Sequence, residues 1–255
     1  MITALAAAYV LSRFGDRQGL ATQLKDANVF ATWPRECGQE PPATRYTAQV
    51  QMASKSGSHT SHGSGRMRAK VQVCQYATLD AWPKLAGKEP WSLTGGSLLG
   101  LACYGGMLPW DDDIDIYVKN CNFLAGMWAS GLVPAMKYAW DSNWEVRALR
   151  PGILMYKHSN TWYKIKLVRE FGLWDDRPPD LGGVDLFCPG TSLARLGEQA
   201  ALFSTASTFV YPFGPTHARA VSSAGMHTLF RAMGWRRTHG GDTVADCGKQ
   251  LETYR

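Results

Sequence analysis

GGSLLGLACYGGMLPWDDDIDIYV, residues 95–118, decides how this chain is read. Four aspartates, Asp111, Asp112, Asp113 and Asp115, fall within five positions, between an apolar glycine-rich run and an apolar alternating run. Like charges this close repel one another, so their crowding needs a cause. DIDIYV alternates with period two, as a half-buried strand does. On such a strand Asp113 and Asp115 point one way, and Ile114 and Ile116 point the other way into a core. Two carboxylates side by side on one face call for a cation between them, and oxygen ligands suit Mg²⁺ or Mn²⁺. Asp111 and Asp112 are also explained by a solvated turn before the strand. A strand register aims Asp111 at the same face as Asp113.

Upstream, PWSLT at residues 90–94 reads as a short buried strand. Gly95 and Gly96 predict a tight turn, and Ser97 is expected to cap a short helix running through Cys103. Gly105 and Gly106 break that helix, and Pro109 keeps Leu108 extended. A glycine-serine turn at a helix N-terminus offers backbone N–H groups to a phosphate, which makes Gly96 and Ser97 candidate substrate contacts. Strand, Gly-Ser turn, short helix, then Asp-x-Asp on the next strand is the arrangement of nucleotidyltransferase-type sites.

Such sites usually need a third carboxylate from a neighbouring strand. Asp185, alone among apolar residues in GGVDLF, is the best candidate, because a lone carboxylate there needs a partner. Asp175 and Asp176 compete for the role, but they sit among Arg177, Pro178 and Pro179 in what reads as a solvated loop. TWYKIKLVRE predicts a strand with Lys164 and Lys166 on one face. Beside the metal strand either lysine would reach a donor phosphate; on an edge strand both would be solvated. Trp110 either stacks on a base or sugar or packs under the Asp-x-Asp strand.

The bulk properties set the frame. The chain has 255 residues, 45% hydrophobic and 19% charged, which suits a folded globular protein. Its net charge of +6 favours an anionic partner, but Lys and Arg are scattered, with no basic arm for nucleic acid, and none is expected. The six cysteines form no CxxC pair and no zinc-like spacing with histidine. Buried free thiols are expected, with one or two disulfides as the alternative in an oxidising compartment. MITALAAAYVL at the start is too short for a bilayer, which takes roughly 20 residues, and predicts an Ala-rich helix, or else a trimmed signal or anchor segment. SKSGSHTSHGSG, within residues 38–69, is too polar to bury and predicts a flexible linker. His59 and His62 read as solvated there. The expected organisation is an N-terminal helical segment over 1–37, a flexible linker over 38–69 and a catalytic domain over 70–255.

The 95–118 run resembles the hallmark of the LicD/fukutin-related phosphotransferase family: a Gly-Thr-Leu-Leu-Gly turn, a later Gly, an apolar-Pro-Trp and Asp-Asp-Asp-Ile-Asp-Ile. Ser97 stands for the usual Thr and keeps the hydroxyl. Cys103 and Tyr104 stand where an Arg-His pair is common. KIKLVREFGLWDDRPPDLGGVDLF is similar to the family's second block, and Asp185 falls on its Asp. YPFGPTHARAVSSAGMHTLFRAMGW, residues 211–235, resembles the C-terminal block more loosely, with Met233 at the usual tyrosine.

The resemblance implies an α+β fold, a nucleotidyltransferase-like mixed β-sheet flanked by helices with a flexible N-terminal segment. It implies an enzyme that moves a phosphorylated alcohol, of phosphocholine or ribitol-phosphate type, from a CDP-linked donor to a glycan hydroxyl. Asp111, Asp113, Asp115 and Asp185 are then the catalytic carboxylates, Asp113, Asp115 and Asp185 the ligands of Mg²⁺ or Mn²⁺, and Asp111 either the base or a supporting group. The compartment would be the secretory pathway or Golgi lumen in a eukaryote and the cytoplasm in a bacterium, with membrane association open. An inactive relative that binds a glycan or a protein is the alternative.

Overall fold

The computed structural model describes residues 30–44, 46–47, 50, 65–109, 111–137, 142–167, 182–191 and 208–232. The N-terminal eleven residues, the Ser/Gly/His run with His59 and His62, Trp110, Asp175, Asp176, Met233 and Cys247 lie outside the described residues.

A mixed sheet of seven strands organises the chain, in the order β1-β2-β7-β6-β5-β4-β3. The strands are β1 Trp91–Leu93, β2 Ile114–Val118, β3 Met136–Lys137, β4 Glu145–Arg150, β5 Ile153–Ser159, β6 Trp162–Leu167 and β7 Val184–Phe187. Only β2 and β7 pair in parallel, and every other neighbour is antiparallel. A separate hairpin joins β8 Thr208–Phe213 to β9 Thr216–Val221. Among the described residues, four helices accompany them: α1 Gly65–Ala86, α2 Gly95–Tyr104, α3 Cys121–Ala129 and α4 Ser223–Ala232. Helices packed on a mixed sheet make the fold α+β, as the sequence implies.

Local chemistry explains the elements nearest the acidic run. Ile114 and Ile116 are fully buried while Asp115 between them is half-buried, the alternation expected of a strand with one polar position. Helix α1 lays Tyr76, Leu79 and Trp82 into the core, and packs along β6, β7 and β9. It includes Pro83 and runs to Ala86, with Gly87 following at φ 59°. A proline there removes one N–H near the helix end, where few turns remain to be broken. Helix α2 begins at Gly95, not Ser97, and Thr94 takes the N-cap position without a side-chain capping bond. Gly105 closes it at φ 65°, a left-handed conformation that glycine adopts without strain.

The free thiols expected at the cysteines are not what the structure shows. Cys37 bonds to Cys74 and Cys121 to Cys188, and Cys103 is also disulfide-bonded. The paired cysteines are 37 and 67 residues apart, a proximity that only the fold creates. The first bond ties the N-terminal region to α1. Phe30, Trp33, Tyr46 and Val50 are buried in the same core, with Phe30 edge-on to Tyr46 and to Tyr76. The described part of residues 30–50 is therefore packed on α1 and the shared core.

Candidate active site

Three strands set the site. Asp115 of β2 lies level with Asp185 of β7, and Asp185 lies level with Lys164 of β6. Residues in register on adjacent strands point to the same face. The sheet thus lines up two carboxylates and an ammonium in one cross-strand row. Asp113, just before β2, joins them: a carboxylate oxygen from each of Asp113, Asp115 and Asp185 lies within 4.8 Å of the others. A second acidic group, Asp111, Asp112 and Asp113, shares Asp113 with the first.

The glycines before α2 are the floor of this site. A Cβ on Gly95 would sit 2.5 Å from Asp115 Oδ2, and a Cβ on Gly96 would sit 2.8 Å from Asp111 Oδ2. Real side chains do not approach that closely, so the carboxylates of Asp111 and Asp115 can lie there only because both positions are glycine. Gly95 also has φ +51°, which disfavours any other residue. The Gly96 N–H donates to Asp115 Oδ2 at 2.9 Å. Ser97 is fully buried, and its Oγ accepts from the Asp115 N–H at 2.8 Å. The hydroxyl holds the backbone of a site carboxylate, where the sequence suggested a helix cap.

Two residues that the sequence reading passed over fix the other side. Gln72 and Gln75 lie three apart on α1, one above the other on the same helix face, and both are buried. Gln72 Nε2 donates to the carbonyls of Leu108 and Asp111 at 2.9 and 2.8 Å. Gln75 Nε2 donates to the Asp112 carbonyl at 3.1 Å, and its Oε1 accepts from the Gly183 N–H at 2.6 Å. One side chain thereby clamps the acidic loop to the start of the strand that carries Asp185. Two glutamines within an otherwise apolar helical spacing were the signal available.

Burial and mutual repulsion govern the charges. Burial raises Asp111 well above the usual carboxylate range, and Asp113 and Asp115 add to it. Burial likewise raises Asp115, with Asp113 and Asp185 adding, while Lys164 and the Gly96 N–H pull back. Asp185 is pushed up to about 7 by burial, against the attraction of Lys164. For Lys164 burial disfavours the charge, but Asp185, Asp113 and Asp112 outweigh it and raise the ammonium. The row is thus an arrangement of oxygen atoms under electrostatic stress. Oxygen-only donors, close convergence and burial of Asp185 fit a hard divalent cation.

The lysines correct one expectation. Strand β6 runs between β7 and β5, so neither lysine is on an edge. Lys164 is fully buried and its Nζ lies 3.0 Å from Asp185 Oδ1. Lys166 is nearly buried, with Nζ 5.2 Å from the Tyr156 ring centre. Gly183 makes room for both: a Cβ there would meet the Cγ atoms of Lys166 and Lys164 at 2.8 and 3.1 Å. Cys103 and Tyr104 are both buried on α2.

Comparison with known proteins bears on the same region. Two curated relatives carry the name ribitol 5-phosphate transferase FKRP. The human protein is 39% identical over 80 residues, 29% of this chain and 15% of the relative. The mouse protein is 43% identical over 61 residues, 22% of this chain and 12% of the relative. The similarity therefore spans under a sixth of either relative's length. The glycine floor, the crowded aspartates and the two lysines all fall within residues 88–170, which match the family model of the LicD/FKTN/FKRP nucleotidyltransferase domain.

Proposed function

We propose that the chain is a metal-dependent phosphotransferase that moves a phosphorylated alcohol from a CDP-linked donor to a glycan hydroxyl. The observation that carries this is the convergence of Asp113, Asp115 and Asp185, whose carboxylate oxygens come within 4.8 Å of one another where β2 pairs with β7. The similarity to proteins named ribitol 5-phosphate transferase supports a phosphate-containing group as the cargo, with ribitol phosphate or phosphocholine as the alcohol.

Asp113, Asp115 and Asp185 would hold Mg²⁺ or Mn²⁺. When bound, the ion supplies positive charge to the donor phosphates and to the departing CMP. The remaining work belongs to the chain. Gly95 and Gly96 leave open the space at the α2 N-terminus in which the carboxylates and a donor phosphate meet. Ser97 fixes Asp115, and Gln75 fixes the Asp112 carbonyl against β7. Asp111 is the base: the acceptor hydroxyl forms a bond to phosphorus, the bond to CMP breaks, and the hydroxyl proton passes to Asp111. A carboxylate whose proton affinity is raised by burial and by Asp113 is suited to that task. Lys166, on the same face of β6 as Lys164, would meet donor phosphate.

The disulfides support an oxidising compartment, the lumen of the secretory pathway or Golgi in a eukaryotic cell. The cytoplasm accommodates them poorly. No helix among the described residues is long and apolar enough to cross a membrane.

The test is a thermal-shift panel of CDP-alcohols and nucleotide sugars, with and without Mn²⁺, followed by CMP release with the best donor. A ligand that binds only the native state raises the melting temperature by mass action. The expected result is a shift with a CDP-alcohol that needs Mn²⁺, and CMP release with a glycan acceptor. Binding without release would identify the inactive relative, a glycan- or protein-binding module.

A further inference from the structure

The feature that the proposed chemistry leaves unexplained is Lys164. A fully buried lysine is expensive, and the structure builds around this one. It lies level with Asp185 on β6, its Nζ 3.0 Å from Asp185 Oδ1. Gly183, at φ +95°, is the residue over which its stem passes, with only 3.1 Å between Lys164 Cγ and a would-be Cβ. Fully buried and held beside Asp185, the ammonium is engaged within the site itself.

We propose that Lys164 is the site's resident counter-cation, a positioning residue that occupies one oxygen of Asp185 and leaves the other for the divalent ion. This rests on the metal-binding reading above. Charge counting shows what it does. Asp113, Asp115 and Asp185 bring three negative charges, and Lys164 returns one. A divalent ion then leaves the row neutral, so that an anionic pyrophosphate donor meets no net repulsion from it. Without Lys164 the loaded row keeps one negative charge facing the donor. The same ammonium repels the ion across Asp185, so lysine and metal weaken each other's hold on the carboxylates. The cost is a looser metal and the return is a site that holds together before the metal arrives.

The experiment is Mn²⁺ titration calorimetry and chelated melting temperature on the whole chain, for wild type, Lys164→Met and Lys164→Met/Asp185→Asn, with Lys157→Met, on the opposite face of the sheet, as control. Wild type should bind Mn²⁺ saturably. Lys164→Met should melt lower in chelator yet bind Mn²⁺ more tightly, on the order of tenfold. A merely structural lysine would lower the melting temperature and loosen the metal as well. A phosphate-binding lysine would leave Mn²⁺ affinity unchanged and weaken CDP binding instead. Either result overturns the proposal. If Lys164→Met does not fold, the double variant decides, because removing both partners of a buried pair is far milder than removing one. A folded double variant supports the counter-cation, and an unfolded one overturns it. If wild type itself binds no Mn²⁺, the metal reading falls first and this inference with it.

Discussion

Replacing Gln75 by alanine should cost this protein far more than its distance from the carboxylates suggests. Gln75 is 1% exposed, accepts from the Gly183 N–H at 2.6 Å and donates to the Asp112 carbonyl at 3.1 Å. Gly183 is buried, so its N–H would be left without a partner, at about 1–3 kcal/mol. The Asp112 bond is in a half-exposed loop where water can replace it, and adds about 0.5–1 kcal/mol. The space left by the shortened side chain adds roughly 1 kcal/mol. The sum is about 2.5–5 kcal/mol. For a domain of this size that lowers the melting temperature by roughly 5–20 °C. Differential scanning calorimetry in chelator measures it. The clamp joins the Asp113 side of the site to the Asp185 side, so Mn²⁺ affinity should fall too. A change within about 0.5 kcal/mol, the range of an ordinary surface substitution, would refute the clamp.

Three other outcomes follow from the site. Asp111 and Asp115 are raised and Asp185 is pushed up to about 7, so the folded metal-free protein holds more protons than the unfolded chain between the ordinary carboxylate range and about 7. Stability then falls as pH rises across that window, so the chelated melting temperature should be higher at pH 5 than at pH 7.5. Mn²⁺ should flatten the difference, and a chelated melting temperature that rises over this window would contradict the crowding. Gly95→Ala combines a left-handed backbone with a Cβ 2.5 Å from Asp115 Oδ2, so it should abolish Mn²⁺ binding and destabilise by at least about 1–2 kcal/mol. Gly126→Ala on α3, where nothing lies within 4 Å, should stabilise by about 0.5–1 kcal/mol in the same denaturation assay.

What the sequence disclosed and what it hid have physical reasons. The 95–118 run was legible because two periodicities meet there: glycines that permit close approach, and aspartates alternating with isoleucines on a strand. Asp185 was legible because a lone charge in an apolar segment must be partnered. Lys164 was harder, because a lysine on an alternating strand reads the same at an edge as in the interior. Only the order of strands, with β6 between β7 and β5, decides it. The meander from β3 to β5 and the β8–β9 hairpin carry turn residues such as Pro151-Gly152 and Gly214-Pro215, yet their pairing partners are a matter of topology. Gln72 and Gln75 looked like polar interruptions of an apolar helix, and their meaning lies in backbone groups 36 and 108 residues away. The cysteines allowed many pairings, and nothing local to any of them selected Cys37–Cys74 or Cys121–Cys188.

The central claim is that Asp113, Asp115 and Asp185 are crowded because a divalent cation belongs among them. Its most direct test is a Mn²⁺ titration read as melting temperature, run on wild type, Asp113→Asn and Asp112→Asn, each starting from chelator. Wild type should gain stability with Mn²⁺, and Asp112→Asn, whose carboxylate is outside the triad, should follow it. Asp113→Asn should lose the Mn²⁺ response, and in chelator it should melt at or above the wild-type temperature, because a repulsion has been relieved. If Asp113→Asn instead lowers the chelated stability by about 2–5 kcal/mol, as a core truncation does, the carboxylates are structural acceptors and no cation belongs between them.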